Sequence, residues 1–263
     1  MNFRNCIICK NNDNLEKYCE QDGQVYVRCN SCKLVYVNDF ASQGNMNKAY
    51  TGGGLKSLRR RLFGPFRRMH HMKGSKDFTS RAAEIFEFAK NAYSKSVKNI
   101  KFIDVGCNKG FLLEQAYKNG ADVYGVELVK EVMTPFKNTY PALKDRVFHE
   151  RFSNVASKFD NEYFDIITSI DVVEHFEDPV SDLKHIYRAL KKDGVFVIQT
   201  PDIESQDAID QKCAWGGLKP LEHLHLFGRT NFVTFAKDVG FSEVTVHDPV
   251  EHGDGNFMAV MKK

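Results

Sequence analysis

Four of the seven cysteines have the spacing of metal ligands. Cys6 and Cys9 form one C-x2-C pair, and Cys29 and Cys32 form a second pair after 19 intervening residues. This spacing is typical of a four-thiolate zinc site, and the alternating segments QVYVRC and KLVYV beside the second pair are typical of a zinc ribbon. Because four thiolates fill the coordination shell, we expect one structural zinc; the alternative is accidental spacing. Cys19 is interpreted as uninvolved.

An acid and two glycines follow an apolar run in the segment FIDVGCNKG. The pattern predicts a buried strand from Lys101 to Val105, a turn from Gly106 to Gly110, and a helix that begins near Phe111 and runs to Asn119. Such a turn directs backbone N–H groups at a ligand beyond the carboxyl end of the strand. The turn lacks the middle glycine of a dinucleotide-binding fingerprint and the Gly-Lys-Ser/Thr of a phosphate-binding loop.

The charges near this turn indicate the ligand class. Asp104 would repel phosphate and attract a cation, whereas Glu127, at the end of the next predicted strand, is placed to accept two hydrogen bonds from ribose hydroxyls. A nucleoside that has a positive charge and no phosphate satisfies these conditions. The residues therefore predict S-adenosylmethionine as the cofactor, with S-adenosylhomocysteine as its product.

Alternating strands and helices are predicted to position these groups. From residue 81 onward, amphipathic helical segments alternate with apolar strand segments, and two further strands close the chain. This order predicts an α/β fold with a Rossmann-like doubly wound sheet and a ligand site at the carboxyl ends of its strands. The predicted domains are a zinc ribbon (1–40), a basic linker or helical segment (41–80) and a cofactor-binding domain (81–263) with a substrate lid at about 202–228.

The composition is that of a globular protein. The chain has 263 residues, of which 42% are hydrophobic and 27% charged, enough for one large domain and a small appendage. No apolar run approaches the roughly 18 residues of a membrane span, and the polar amino terminus lacks the apolar centre of a signal peptide. We therefore expect a cytoplasmic protein, in which the cysteines would bind metal rather than form a disulfide scaffold.

Residues 55–76 contain eight Lys or Arg and no acid, although the whole chain has a net charge of only +3. One interpretation is a surface that binds the phosphates of a nucleic acid or of an anionic small molecule. The other is a solvated basic helix that packs through its apolar residues. Tyr50 precedes this segment and is predicted either to cover the ligand pocket or to be a linker aromatic.

Taken together, the segments FIDVGCNKG, VYGVEL, FDIITSIDVVEHFEDP and LKKDGVFVIQTP resemble class I S-adenosylmethionine-dependent methyltransferases over about residues 80–263. The last two predicted strands resemble the antiparallel pair of that family. Asn108 is a departure, because many relatives have glycine there. More narrowly, the two cysteine pairs, the tyrosine-containing linker and the segment EHLHLF resemble methyltransferases of bacterial sugar, capsule and lipopolysaccharide biosynthesis.

The resemblance implies a set of cofactor contacts. Asp104, Gly106 and Gly110 would line the methionine portion, and Glu127 would hold the ribose. Cys107 and Tyr50 are further predicted cofactor-binding residues. Leu128 would lie against the adenine, and Asp171 would flank the methionine amino group or the substrate. The alternative for Asp104 and Asp171 is a cap of a helix or turn. Candidates for a further adenine contact are Glu150, Arg151 and Phe152.

Methyl transfer to an alcohol requires a group that removes the acceptor's proton, and histidine is suited to this role near neutral pH. The candidates are His175, His223 and His225, and we predict that His223 is the base. His223 and His225 alternate in EHLHLF and would point in the same direction in an extended segment. With Glu222 they also suggest a metal site, but no further ligand of suitable spacing accompanies them.

The sequence leaves three hypotheses. The first is methylation, most simply O-methylation, of a sugar, a nucleotide-linked sugar or a related phosphorylated metabolite, with the basic segment holding an anionic group. The second is an RNA methyltransferase; against it, the ribbon is not notably basic and no aromatic run is suited to stacking bases. The third is a zinc-ribbon interaction protein without turnover, which the intact cofactor residues disfavour.

Overall fold

The computed structural model describes residues 3–39, 75–220, 222–250 and 255–263. Within these ranges the strands form two sheets, one of four strands and one of seven. Tyr50 and most of the basic segment lie outside the described residues, so the predictions made for them stay predictions. The predicted domain boundaries also stay predictions.

The four-stranded sheet is built from two distant parts of the chain. Three antiparallel strands come from the cysteine-rich segment, namely β1 (Leu15–Gln21), β2 (Gln24–Cys29) and β3 (Val35–Val37). The two strands predicted beside the second cysteine pair are confirmed as β2 and β3. The fourth strand is β9 (His225–Leu226) from the segment EHLHLF, and it pairs antiparallel with β3. The ribbon and the large domain therefore share one sheet.

The seven-stranded sheet has the predicted α/β, Rossmann-like architecture. Its strands are β4 (Lys101–Val105), β5 (Asp122–Val126), β6 (Val147–Phe148), β7 (Phe164–Ile170), β8 (Leu190–Pro201), β10 (Glu243–His247) and β11 (Asn256–Lys262). Their order is β10-β11-β8-β7-β4-β5-β6. β11 runs antiparallel to β8 and β10, whereas the pairs from β8 to β6 are parallel. The predicted antiparallel final pair is confirmed.

Helices cover both faces of this sheet. The α-helices are α1 (Ser75–Tyr93), α2 (Phe111–Lys118), α3 (Thr134–Thr139), α4 (Phe152–Val155), α5 (Pro179–Ala189), α6 (Gln206–Gln211) and α7 (Arg229–Val239). In β4, Ile103 belongs to the apolar cluster on one face and Phe102 to the cluster on the other. Burial on both faces explains why β4 and β7 are apolar runs rather than alternating strands.

One local expectation differs from the structure, and another, a new helix start at Pro135, is met. The segment DPVSDLKHIYRALKKDG has the pattern of a helix that stops at Gly194, but the helix ends at Ala189 and β8 begins at Leu190. The reason is tertiary, because Leu190 is fully buried and pairs with Phe164 of β7. Pro135 is accommodated as a new start, since it lies in the first turn of α3 and directly after a 3-10 turn at Lys130–Met133.

The expectation that Cys19 is uninvolved, in a chain without disulfides, is wrong. Cys19 of β1 is bonded to Cys213, and their Cα atoms are 5.6 Å apart. Cys213 lies in a 3-10 turn, Lys212–Ala214, within the segment predicted to be a lid. The two cysteines are 194 residues apart in sequence, so local spacing could not reveal the pair.

Candidate active site

A cavity of about 890 Å³ opens where β4, β5 and β7 end. The carboxyl ends of parallel strands are the usual ligand site of such sheets, and the volume is sufficient for a nucleoside cofactor and a small acceptor. Eight residues predicted for the site line this cavity: Asp104, Gly106, Cys107, Glu127, Leu128, Asp171, His175 and His223. Gly110 and His225 are not part of the cavity wall formed by the described residues.

The glycines of the turn after β4 are required by both backbone and packing. Gly106 has φ 83°, and a Cβ atom there would lie 2.2 Å from Val172 Cγ2. Gly110 has φ 79°, and its Cβ would lie 2.5 Å from the Phe136 ring. Asn108 has φ 47°, a left-handed conformation that asparagine tolerates better than most residues. Asn108 therefore fits a position where glycine is more usual, and Gly110 acts on the turn rather than on the ligand directly.

Asp104 is a buried acid at the inner end of the cavity. Its Oδ1 accepts a hydrogen bond of 2.7 Å from the Thr168 hydroxyl of β7, and the residue is 4% exposed. The pKa of Asp104 is raised to about 7, mainly by burial; the Thr168 hydrogen bond opposes this shift and the charge of Glu127 contributes to it. A cationic ligand would restore the charged form.

Glu127 is held by backbone N–H groups at the end of β5. Its two carboxylate oxygens accept hydrogen bonds from Asn108 N at 3.0 Å and from Val129 N at 2.9 Å. The carboxylate is thus oriented before any ligand arrives, with lone pairs remaining for hydroxyl donors. Leu128 is 46% exposed at the cavity, as an apolar surface for a flat ring would require. The three residues considered for adenine contact, Glu150, Arg151 and Phe152, also line the cavity.

Asp171 has a partner that sequence reasoning missed. Arg81 of α1 donates a hydrogen bond of 2.7 Å to Asp171 Oδ2, and Gln199 of β8 donates one of 3.1 Å to Oδ1. Asp171 has φ 56°, and its own N–H donates to the Gln199 carbonyl. Arg81 also lines the cavity. In the sequence it is one of three basic residues on an amphipathic helix, and no local signal marks it as part of the site.

Two of the three predicted histidines lie together at the cavity wall. The Nδ1 atom of His175 is 2.6 Å from the Glu222 carbonyl oxygen, and that of His223 is 2.7 Å from the Gly217 carbonyl oxygen. Because a carbonyl oxygen only accepts, each Nδ1 carries the hydrogen and each Nε2 carries a lone pair. Burial lowers the pKa of His175 and lowers that of His223 to about 3, so both rings are neutral at pH 7.

Glu174 completes this group and was not predicted. It is 1% exposed, and its Oε1 lies 3.8 Å from His175 Nε2 and 3.9 Å from His223 Nε2. Its Oε2 accepts a hydrogen bond of 3.0 Å from the Thr200 hydroxyl. Burial raises the pKa of Glu174 to about 8, and the charge of Asp171 adds to the shift. The available signal was its position beside His175 in the loop after β7.

His225 does not belong with the other two histidines. It is fully buried in β9, its Nδ1 donates to the Phe176 carbonyl oxygen at 3.0 Å, and it is not among the residues of the cavity wall. The condition for His223 and His225 to point the same way, an extended segment through both, is not met, because the strand contains only His225 and Leu226. Glu222 contributes its backbone carbonyl oxygen to His175, and the disfavoured alternative, a metal group of Glu222, His223 and His225, is not found among the described residues.

The segment predicted as a lid, at about 202–228, supplies one wall of the cavity. Its contributions to the wall include Asp207, Gln211, Trp215, Gly216, Gly217, Lys219, Glu222 and His223. Trp215 is 5% exposed and shares an apolar cluster with Tyr26 and Val37 of the ribbon. The cysteine-rich segment therefore packs against a residue of this cavity wall.

The four paired cysteines converge as a potential metal-binding set. Their sulfur atoms all lie within 4.8 Å of one another, with Cys6 Sγ 3.4 Å from Cys32 Sγ and Cys9 Sγ 3.5 Å from Cys29 Sγ. None of the four forms a disulfide. Four thiols that converge without bonding to one another fit the donor set of a structural zinc site.

Comparisons with known proteins agree with this geometry. A family model described as "Methyltransferase domain" matches residues 71–246. The chain is 29% identical over 137 residues to a ubiquinone biosynthesis O-methyltransferase of Pelagibacter ubique, covering 52% of this chain and 57% of that protein. It is 33% identical over 132 residues to a tRNA U34 carboxymethyltransferase of Helicobacter pylori, covering 46% of this chain and 47% of that protein. The chain thus matches about half the length of these curated relatives.

Solved structures share the fold at low sequence identity. A SAM dependent methyltransferase from Archaeoglobus fulgidus is 15% identical, with a TM-score of 0.52 over 68% of this chain and 93% of that one. Phosphoethanolamine N-methyltransferase 2 of Haemonchus contortus is 16% identical, with a TM-score of 0.51 over 68% of this chain and 52% of that one. Among the described residues, no helix has the length and apolar character needed to cross a membrane. Because the family model covers more than half of the chain, this protein belongs to the methyltransferase-domain family and has the class I methyltransferase fold.

Proposed function

We propose that this protein is an S-adenosylmethionine-dependent methyltransferase that methylates a hydroxyl oxygen of a small polar acceptor. The observation that carries the proposal is a single cavity that holds both halves of the chemistry. On one side lie the glycine turn, Asp104 and Glu127, and on the other lie two histidines beside a buried acid.

The cofactor side fits a cationic nucleoside. In the proposed pose the ribose hydroxyls donate to Glu127, whose carboxylate is already oriented by two backbone N–H groups. The adenine lies on Leu128, and the methionine portion passes Gly106 and Cys107 towards Asp104. Arg81 fixes the orientation of Asp171, which flanks the methionine amino group or the acceptor. The positive charges of the amino group and the sulfonium would favour ionised Asp104.

The reaction places two demands on the protein. The acceptor oxygen attacks the methyl carbon while the carbon–sulfur bond breaks and its electron pair stays on sulfur, so alignment of the two reactants supplies much of the rate. The acceptor must also lose its hydroxyl proton. His175 and His223 present Nε2 lone pairs near this position, and the choice of His223 as base stays a prediction. A pKa of about 3 makes His223 a weak proton acceptor, which favours a different role for the histidines.

The class of acceptor is inferred from the cavity and from the relatives' names. Relatives named O-methyltransferases of ubiquinone biosynthesis support O-methylation of a small molecule and give no support to a sugar or capsule acceptor. A second candidate, RNA, is supported by the relative named tRNA U34 carboxymethyltransferase and by the basic composition of residues 55–76. The wall of the described cavity contains both apolar and charged residues, as a small polar acceptor requires.

The ribbon is proposed to hold one structural zinc through Cys6, Cys9, Cys29 and Cys32. Its part in the reaction would be positional. β3 of the ribbon pairs with β9, two residues after His223, and Tyr26 of β2 donates a hydrogen bond to the His223 carbonyl oxygen. A folded ribbon therefore fixes the strand and the lid that present His223 to the cavity.

The test begins with calorimetric titration of the full chain with S-adenosylmethionine. We expect micromolar binding by the natural chain and by His185→Gln, a histidine outside the cavity wall, and loss of binding in Glu127→Ala. S-adenosylhomocysteine formation is then measured with a panel of aromatic diols, nucleotide sugars and tRNA at two salt concentrations. Absence of binding by the natural chain would refute the proposal. Turnover of tRNA alone, with steep salt dependence, would select the RNA candidate.

A further inference from the structure

We propose that Glu174, His175 and His223 form a second metal site, which binds a divalent cation of the zinc class and holds the acceptor's oxygen at an open coordination position. This site would be distinct from the cysteine site of the ribbon. The acceptor role rests on the proposed methyltransferase function, whereas binding of the metal does not.

The first argument is geometric. One ligand atom from each of Glu174, His175 and His223 lies within 4.8 Å of the other two, and Glu174 approaches both imidazoles with its Oε1 atom towards their Nε2 atoms. The two separations that involve Oε1 are 3.8 and 3.9 Å. Ligands of a tetrahedral zinc ion at normal bond lengths are roughly 3.3 Å apart, so the three side chains would move inwards by a few tenths of an ångström.

The second argument concerns the orientation of the two imidazoles. Both rings donate from Nδ1 to backbone carbonyl oxygens, of Glu222 for His175 and of Gly217 for His223. Metal-bound histidines usually donate their other ring N–H to an oxygen in this way, because that bond fixes the tautomer and aims the remaining nitrogen at the metal. Both Nε2 atoms are thereby set as ligands and directed to the same point.

The third argument is the state of the carboxylate. Glu174 is 1% exposed, and its Oε1 has no hydrogen-bond partner within the described part of the chain. A buried carboxylate oxygen without a partner is costly, and each such group in a native protein requires an explanation. The atom is directed between two imidazole lone pairs, which cannot donate to it. A cation at this point would satisfy all three groups at once.

The backbone holds the two halves of the site together before any metal binds. Glu174 and His175 lie on a 3-10 turn (Val173–His175) after β7, whereas His223 comes from the lid. Leu224 N donates to the Glu174 carbonyl oxygen at 2.8 Å, which fixes His223 beside the turn. The loss of chain entropy on metal binding is therefore small.

The ligand set selects the type of metal and its function. Two imidazoles and one carboxylate suit Zn²⁺ and its neighbours Co²⁺ and Ni²⁺, whereas Mg²⁺ and Ca²⁺ prefer oxygen ligands. Three protein ligands leave a fourth position, which is the arrangement of catalytic rather than structural zinc sites. All three side chains line the cavity, so this position faces the acceptor. A hydroxyl bound there would release its proton to solvent more readily and attack the methyl carbon as the oxyanion.

The test is metal analysis of the full chain after incubation with Zn²⁺ and removal of loosely bound metal. We expect two equivalents in the natural chain and in His185→Gln, and one equivalent in Glu174→Gln and in His223→Gln. Cys9→Ser should lose the ribbon's zinc and keep the other. Unchanged zinc content in both Glu174→Gln and His223→Gln would overturn the proposal.

Folding is checked independently by circular dichroism and by affinity for S-adenosylmethionine, which both pocket variants should keep. Co²⁺ provides a second readout: the ribbon site should give intense thiolate charge-transfer bands, and the pocket site only weak visible bands that disappear in Glu174→Gln. If every cobalt band is of thiolate origin, the second site does not exist. Cofactor binding and turnover with only the ribbon metal present would support the proposed function and refute this inference. Binding of two metal ions without binding of S-adenosylmethionine would support the second metal site and refute the proposed function.

Discussion

The phenolic oxygen of Tyr26 donates a hydrogen bond of 3.3 Å to the backbone carbonyl oxygen of His223, across 197 residues of sequence. Both residues are buried, and the bond joins the second strand of the ribbon to a wall of the cavity. Together with the pairing of β3 and β9, it makes the cysteine-rich segment part of the scaffold of the site rather than a separate appendage.

We expect Tyr26→Phe to lower the free energy of unfolding by about 1–2 kcal/mol, because the buried His223 carbonyl loses its donor. Methyl transfer should fall more than cofactor affinity does, since His223 lies on the acceptor side. The matched control is Tyr18→Phe, which removes a hydroxyl that has no hydrogen bond among the described residues of the ribbon. Urea denaturation and steady-state kinetics measure the two effects. Equal stability of the two variants would contradict the coupling.

Gly106→Ala is expected to abolish binding of S-adenosylmethionine and to destabilise the fold. The added methyl would meet Val172 Cγ2 at 2.2 Å, and φ of 83° is unfavourable for alanine by about 1–2 kcal/mol even without the clash. Asn108→Gly is the matched control in the same turn, because φ of 47° suits glycine at least as well as asparagine. It should keep cofactor affinity within about twofold. Calorimetric titration of both variants decides, and tight binding by Gly106→Ala would refute this account of the turn.

Cofactor affinity is expected to depend on pH through Asp104. Burial raises its pKa to about 7, so below this value a bound cation must first displace a proton. The association constant for S-adenosylmethionine should therefore fall by about tenfold for each unit by which the pH is lowered from about 7 to about 5.5. This range lies below the titration of the cofactor's own amino group, near 8. Asp104→Asn should bind weakly and without this slope; a flat profile in the natural chain would contradict the prediction.

The raised pKa of Asp104 also predicts that the unliganded protein becomes less stable as the pH rises, whereas cofactor affinity increases. A carboxyl whose pKa is higher in the folded than in the unfolded state stabilises the fold below its unfolded pKa, and this contribution is lost as pH rises through the folded pKa. Asp104 therefore favours the unliganded fold near pH 4 and disfavours it above about pH 7. Denaturant titrations of the natural chain and Asp104→Asn across this range isolate the contribution, since only the natural chain should lose it.

Arg81→Met is expected to weaken cofactor binding by about fivefold, because Asp171 loses a partner at 2.7 Å and a partly exposed ion pair contributes about 1 kcal/mol. Arg81→Lys should recover part of the loss. Arg146→Met provides the control: Arg146 pairs with Asp122 at 2.9 Å in a similar manner but outside the cavity wall. If the Arg81 and Arg146 variants bind the cofactor equally well, the ion pair with Asp171 does not organise the site.

The features that the sequence determined by itself are local. The turn after β4 requires Gly106 and Gly110 because their φ angles exclude most side chains, and the acids Asp104 and Glu127 follow from where apolar runs end. The cysteine pairs indicate a metal-binding set because both ligands of each pair lie within one turn. The alternation of apolar strand and helix segments indicated the α/β class, because the buried face of a strand or helix determines which of its own residues are apolar.

The tertiary structure decided which distant groups meet. Arg81 and Asp171 are 90 residues apart, Cys19 and Cys213 are 194 apart, and the ribbon reaches His223 only because β3 accepts β9 as a partner. Strand order and helix packing set these contacts, and neither can be recognised from the periodicity of apolar residues in the segments concerned. His223 and His225 show the limit most clearly. Their spacing in EHLHLF suggested a shared direction, whereas the backbone places one at the cavity and buries the other in the ribbon's sheet.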